Sequence, residues 1–168
     1  MKKLFVILIA VTTSMSAFSQ KKDVVDIAIG SADHTTLVAA VKAADLVATL
    51  KGTGPFTVFA PTNDAFDTLP EGTVETLLKP ENKAQLSKIL TYHVVSGNID
   101  AAGVLAAIKN GKGSAVLKTV SGGMLTASLE NDKVKLTDEN GNSAFVIAAD
   151  LKASNGVVHV IDGVVLPK

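Results

Sequence analysis

No cysteine occurs in the 168 residues. That excludes disulfides, thiol catalysis, thiolate metal sites and a lipid-modified amino-terminal cysteine. Stability must come from packing, which about 150 residues can supply. Tryptophan is absent and aromatic residues make up 4% of the chain. Aliphatic side chains must therefore fill most of the core, and there is no aromatic platform for stacking on bases or sugars. An excess of either charge is missing too. Sixteen Lys and Arg balance sixteen Asp and Glu, so no net field favours nucleic acid or an anionic surface. The hydrophobic fraction is 47% against 19% charged, a globular composition.

Long apolar runs are confined to the start. Lys2-Lys3 precede Leu4–Val11, and Ala17-Phe18-Ser19 fits the small-x-small pattern of a cleavage site. The run is far shorter than the roughly 20 residues of a membrane span. The expectation is a signal peptide over residues 1–19, a single domain over residues 20–168, and a soluble exported protein in the periplasm or outside the cell.

What the chain does have is concentrated in Gly54–Phe66, GPFTVFAPTNDAF. Of the four phenylalanines beyond the leader, Phe56, Phe59 and Phe66 lie here and Phe145 elsewhere. The segment reads as a strand, Phe56–Ala60, then a turn at Pro61 and a helix in which Thr62 or Asn63 caps the start and Asp64 sits at the positive end. These three polar residues therefore serve structure rather than a ligand.

Elsewhere in the first half, helical spacing predicts Asp23–Gly30, then one helix capped by Ser31 or Asp33 and running to about Leu50. A short helix follows at Thr73–Leu78 with Thr73 as cap, and another over Glu81–Thr91 begun by Pro80. Ala101–Lys109 is a further helix, and Val94-Val95 is extended. The second half alternates like a β-meander: Ala115–Val120, Met124–Glu130, Lys133–Thr137, Ala144–Ala149 and Gly156–Leu166. Asn140-Gly141 is a strong hairpin signal. The last run is apolar on both faces except at His159 and Asp162, so it belongs inside a sheet. The whole is an α+β pattern.

Histidines and acids form no metal motif: no histidine has a second ligand at the right spacing. Asp138–Asn142 lacks the alternating acids and closing glutamate of a calcium loop. No nucleophile elbow or phosphate-binding loop occurs. No catalytic residue, cofactor or metal ligand is therefore expected. His93 falls on the helical face of Leu86 and Leu90 and should be a buried hydrogen-bonder, as should His159. His34 should cap or decorate a helix surface, and Tyr92 should lie on the more exposed side with Gln85 and Lys88.

Three segments carry a family likeness. TVFAPTNDAF at Thr57–Phe66 and NGVVHVIDGVVLP at Asn155–Pro167 resemble the two signatures of the fasciclin domain family, and LTYHVVSG at Leu90–Gly97 resembles its Tyr-His segment. The resemblance spans about Asp23 to Pro167. It implies a wedge-shaped β-sandwich with several short helices packed along it, with the two signature strands adjacent. It also implies a secreted or surface module for adhesion or matrix interaction, without enzymatic activity. In animal members the Tyr-His region and its flanking aliphatics are implicated in binding integrin receptors, a partner that does not carry over to a chain whose leader looks bacterial. Carried onto this chain, the region makes Tyr92, His93, Val94 and Val95 the candidate partner-binding residues, with a cell-surface or matrix protein or polysaccharide as partner. The alternative is a soluble carrier of a small apolar ligand, a lipid or pigment, which requires an apolar cavity of a few hundred Å3 or more.

Overall fold

A computed structural model describes residues 21–168; the expected leader lies outside the described residues. Helix α1, Val24–Ile29, starts at Asp23, whose carboxylate accepts from the Val25 and Asp26 amides while Asp26 reaches back to the Asp23 amide. Lys51 pairs with both acids at 2.8 and 2.7 Å.

The single helix expected up to Leu50 is broken. A 3-10 turn over Ala32–His34, capped by Ser31, leads into α2, Thr35–Ala43, and α3 is a separate turn at Val47–Leu50. Asp45 between them is left-handed, φ 59°. The break redirects Leu46, Val47 and Leu50 onto the core, a gain that helical periodicity does not reveal.

Strand β1, Phe56–Pro61, is followed by α4, Asn63–Asp67, and α5, Thr73–Leu77. The cap of α5 is Gly72, left-handed at φ 78°, and not Thr73. Pro80 opens a 3-10 turn that feeds α6, Lys83–Tyr92. Then come β2, Val94–Ser96, and α7, Ala101–Asn110, capped by Asp100. The meander is β3, Ser114–Lys118; β4, Met124–Glu130; β5, Lys133–Thr137; β6, Ser143–Ala153; and β7, Gly156–Ile161. The last strand is shorter than expected, because the chain turns at Asp162-Gly163 and Asp162 accepts from the Phe145 amide.

The strand order is β2-β1-β7-β6-β5-β4-β3. The two signature strands, β1 and β7, pair in parallel at the centre of one half, Phe56 opposite Gly156 through Pro61 opposite Ile161. Gly156 is required there: a Cβ would lie 1.9 Å from the Phe56 carbonyl oxygen. Strand β6 belongs to both halves and is bulged between Val146 and Leu151. Bulges bend a strand, and this one folds the sheet over on itself into a wedge-like sandwich. At the far end a lone bridge, Val95–Thr119, and a bond from the Val120 amide to the Val94 carbonyl, 2.7 Å, bring the outer strands β2 and β3 together.

Two cores result. The helical side holds Val24, Leu37, Val41, Ala60, Phe66, Leu86, Leu90, Val94 and Val158. The space between the halves holds Phe59, Tyr92, Val95, Ile108, Leu125, Leu136 and Ile161. Asn155 joins helix and sheet, accepting from the Val24 amide and donating to the Leu50 and Gly52 carbonyls. Those groups are helix-end donors and acceptors that would otherwise lack partners.

Candidate interaction site

Helix α6 buries Leu86, Ile89 and Leu90, ends at His93, and passes straight into β2. This junction places the four candidate residues. Val94 enters the helical core and Val95 the inter-sheet core, because successive side chains of a strand point to opposite faces.

His93 is buried, as expected. Its Nδ1–H donates to the Ile89 carbonyl at 2.9 Å, and Nε2 accepts from the Val165 amide at 3.3 Å. The partners fix the neutral Nδ1–H tautomer. Burial pushes its pKa down to about 4, against smaller opposing contributions from the Ile89 carbonyl and the Asp138 charge.

Tyr92 departs from the expectation of exposure: it is fully buried, 0% accessible. The Ser121–Gly123 turn lies over its ring, close enough that a Cβ on Gly123 would approach Tyr92 Cε2 to 2.7 Å. The phenol donates to the Met124 carbonyl at 2.6 Å and accepts from the Glu139 amide at 3.3 Å. Burial is the main cause of its raised pKa. Gln85 and Lys88, on the same side of the helical wheel, are exposed; only the last turn, at Tyr92, is covered, by the Ser121–Gly123 turn.

The signature polar residues do structural work. Thr62 caps α4 by accepting from the Ala65 amide at 3.2 Å. Asn63 is not a cap of its own helix. It accepts from the Thr36 amide and Thr35 hydroxyl and donates to the Ala32 carbonyl, so it caps α2 across the fold. Asp64 occupies the first turn of α4. His159 is buried, stacked on Phe59, with Nε2–H donating to the Ile99 carbonyl at 2.9 Å and Nδ1 accepting from the Asp150 amide. His34 is buried rather than decorating a surface. Its Nδ1 meets Ser31 Oγ at 2.9 Å, Nε2 has no partner among the described residues, and burial lowers its pKa.

The structure therefore brings Tyr92, His93, Val94 and Val95 to one junction but presents them inward, while Thr62–Asp64 and His159 lie elsewhere in the framework. What faces outward beside the junction is an open groove of about 540 Å3 between β2 and β3. Val95, Ser96, Ile99, Val116, Lys118 and Val120 line it. Val116 is 64% exposed and Val120 43%. Sequence reasoning named Val95 but missed Ser96, Ile99, Val116, Lys118 and Val120. One signal was available: in Ser114–Lys118 the alternation puts Val116 on the outward phase with Ser114 and Lys118.

A separate apolar cavity lies between α1, α2 and the sheet, reaching His93 and Val94, with a volume of about 60 Å3. Sites for drug-sized ligands run from roughly 300 Å3 upward, and this cavity is well below that size. Among the described residues no group of three His, Asp or Glu side chains could hold a metal ion, and no helix is long and apolar enough to cross a membrane.

Comparison with known proteins decides the family. The Fasciclin domain model matches residues 32–167. The chain belongs to the fasciclin domain family. It is 53% identical to Protein sll1483 of Synechocystis, over 92% of this chain and 78% of that one. It is 38% identical to pig transforming growth factor-beta-induced protein ig-h3, over 86% of this chain but 19% of that protein. Among solved structures, the FAS1 domain pair of the insect cell adhesion molecule fasciclin I matches with a TM-score of 0.76 at 17% identity, over 86% of this fasciclin domain protein. The chain spans about half, 51%, of that structure, which supports the fold: an α+β wedge-like sandwich with short helices.

Proposed function

We propose that this fasciclin domain protein is an exported, non-enzymatic adhesion or surface-interaction module, and that its partner docks on the face built around Tyr92–Val95. The observation that carries the reading is the open groove beside that junction, where buried Val95 on the β2 wall lies across from exposed Val116 and Val120 on the β3 wall. Tyr92, His93 and Val94 act from within, by holding β2 and the Ser121–Gly123 turn in place. The insect structural neighbour is itself a cell adhesion molecule, which agrees with a partner that is a surface or matrix protein or polysaccharide.

The test is a pull-down from the producing organism's envelope fraction, with adhesion of the purified protein to whole cells as a second readout. Substituting Tyr92 or His93 would disturb the fold, so the variants are Val120→Asp and Ser96→Glu, both on the groove and both surface changes worth within about 0.5 kcal/mol of stability. Capture and adhesion should fall in both variants. Wild-type binding by both variants would refute this placement of the site.

A further inference from the structure

We propose that the β2–β3 groove binds an extended acidic peptide segment of a partner protein, which adds as an antiparallel strand to the free edge of β3. This rests on the reading of the chain as an interaction module and names the chemistry of the partner.

Hydrogen-bond parity along the two strands is the main argument. The Thr119 amide donates to the Gly123 carbonyl at 2.9 Å, and bonded pairs alternate in an antiparallel ladder. The pairs Leu117–Leu125 and Ala115–Ala127 are therefore the bonded ones. Val116 and Lys118 turn their N–H and C=O groups away from β4, toward the groove, while Ser114, on the same phase, has its carbonyl against Gly111. On the other wall, bonds from the Phe59 amide to the His93 carbonyl and from the Gly97 amide to the Pro55 carbonyl, both 2.9 Å, make Thr57–Val95 a bonded pair. Val94 and Ser96 then face β3. The Val94 carbonyl is satisfied by the Val120 amide, and beyond that point the two edges part around the groove.

A row of unpaired amides and carbonyls is complementary to one kind of object, another strand. Side chains narrow the choice. Val116 and Lys118 project on the same face, two residues apart, and each would stand directly opposite a residue of the incoming strand. Lys118 is the one charged residue lining the groove and has no ion-pair partner among the described residues. An apolar residue opposite Val116 and an acidic residue opposite Lys118 fit this edge. A second copy fits it less well. Antiparallel β3–β3 pairing about Val116 carries Lys118 of each copy toward the Lys112 end of the other, and a five-residue edge buries far less than the roughly 1,200 Å2 of a stable interface.

The probe is a fluorescein-labelled peptide, Ser-Glu-Thr-Val-Thr-Thr-Ser, titrated into the protein, with amide hydrogen exchange read by NMR. Binding should slow exchange at the Val116 and Lys118 amides by about tenfold or more. A peptide N-methylated at its valine should lose the effect, a control that leaves the protein untouched. Val116→Pro, tolerated on an edge whose N–H faces solvent, should abolish binding, and Lys118→Glu should weaken it about fivefold or more. Binding without protection of these two amides, or undiminished binding by both the N-methylated peptide and Val116→Pro, overturns the proposal. Concentration-dependent dimerisation that itself protects the Val116 and Lys118 amides and that the peptide does not displace also overturns it, by giving the edge to a second copy. An envelope partner captured equally by wild type and Val116→Pro leaves the module reading standing and removes strand addition. Peptide binding with no envelope partner captured does the reverse.

Discussion

Acidification from neutral pH titrates His93 in the unfolded chain long before it does so in the fold. The unfolded imidazole has a pKa near 6.5, whereas in the folded protein burial holds it down at about 4. A proton added to the folded ring goes onto Nε2, the atom that accepts from the Val165 amide, and sets two donors against each other. Because the folded pKa is the lower one, the stabilisation is fully present above about pH 6.5. It is lost as pH falls toward 4, where both states become protonated. At ~1.4 kcal/mol per unit, the gap amounts to about 3 kcal/mol, a large share of the roughly 5–15 kcal/mol that holds a domain folded. Urea unfolding followed by far-UV circular dichroism, at half-unit steps from pH 7.5 to 4.5, measures the slope. His93→Gln removes the titration, so its stability should fall less steeply than wild type by about that amount, even though the variant starts lower at neutral pH. Parallel wild-type and His93→Gln curves would refute the reasoning. His34 contributes with the same sign, since burial depresses its pKa too, and His34→Gln in the same assay separates the two.

Two further perturbations test the framework around the candidate site. Tyr92→Phe leaves the Met124 carbonyl and the Glu139 amide without the phenol; a loss of about 1–3 kcal/mol is expected, read as a lower urea midpoint with unchanged slope. Asp138 is a buried turn carboxylate that accepts from the Asn140, Asn142 and Leu166 amides and from the Asn142 side chain. Asp138→Ala should cost about 3 kcal/mol and speed amide exchange at Leu166, and exchange unchanged at Leu166 would count against the role given to this carboxylate.

Much of the framework is legible in the residues. Alternation in the second half, the Asn140-Gly141 turn, and the apolar character of Val157–Ile161 on both faces specify a meander with a central last strand, and the chain folds so. Thr62 has the chemistry of a cap and acts as one. Failures cluster where a local pattern competes with a distant contact. Helical spacing runs through Ala44–Leu46, yet a left-handed Asp45 breaks it to bring Leu50 inward. Asn63 looks like a cap for its own helix and instead caps α2, because the fold sets α2 beside it. Asp138 looks like an ordinary hairpin acid and ties the carboxy-terminal segment through the Leu166 amide.

The candidate site divides along the same line. Its four candidate residues come from the resemblance of Leu90–Gly97 to the family's Tyr-His segment, and what local spacing shows of them is only that they stand where a helix passes into a strand. Their burial is not a local matter. Tyr92 is covered by a turn 29 to 31 positions later in the chain, and the groove beside Val95 exists because bulged β6 folds the sheet until β2 and β3 meet at one bridge. A one-dimensional pattern records which residues can lie on a common face; which faces are then covered is settled by long-range packing.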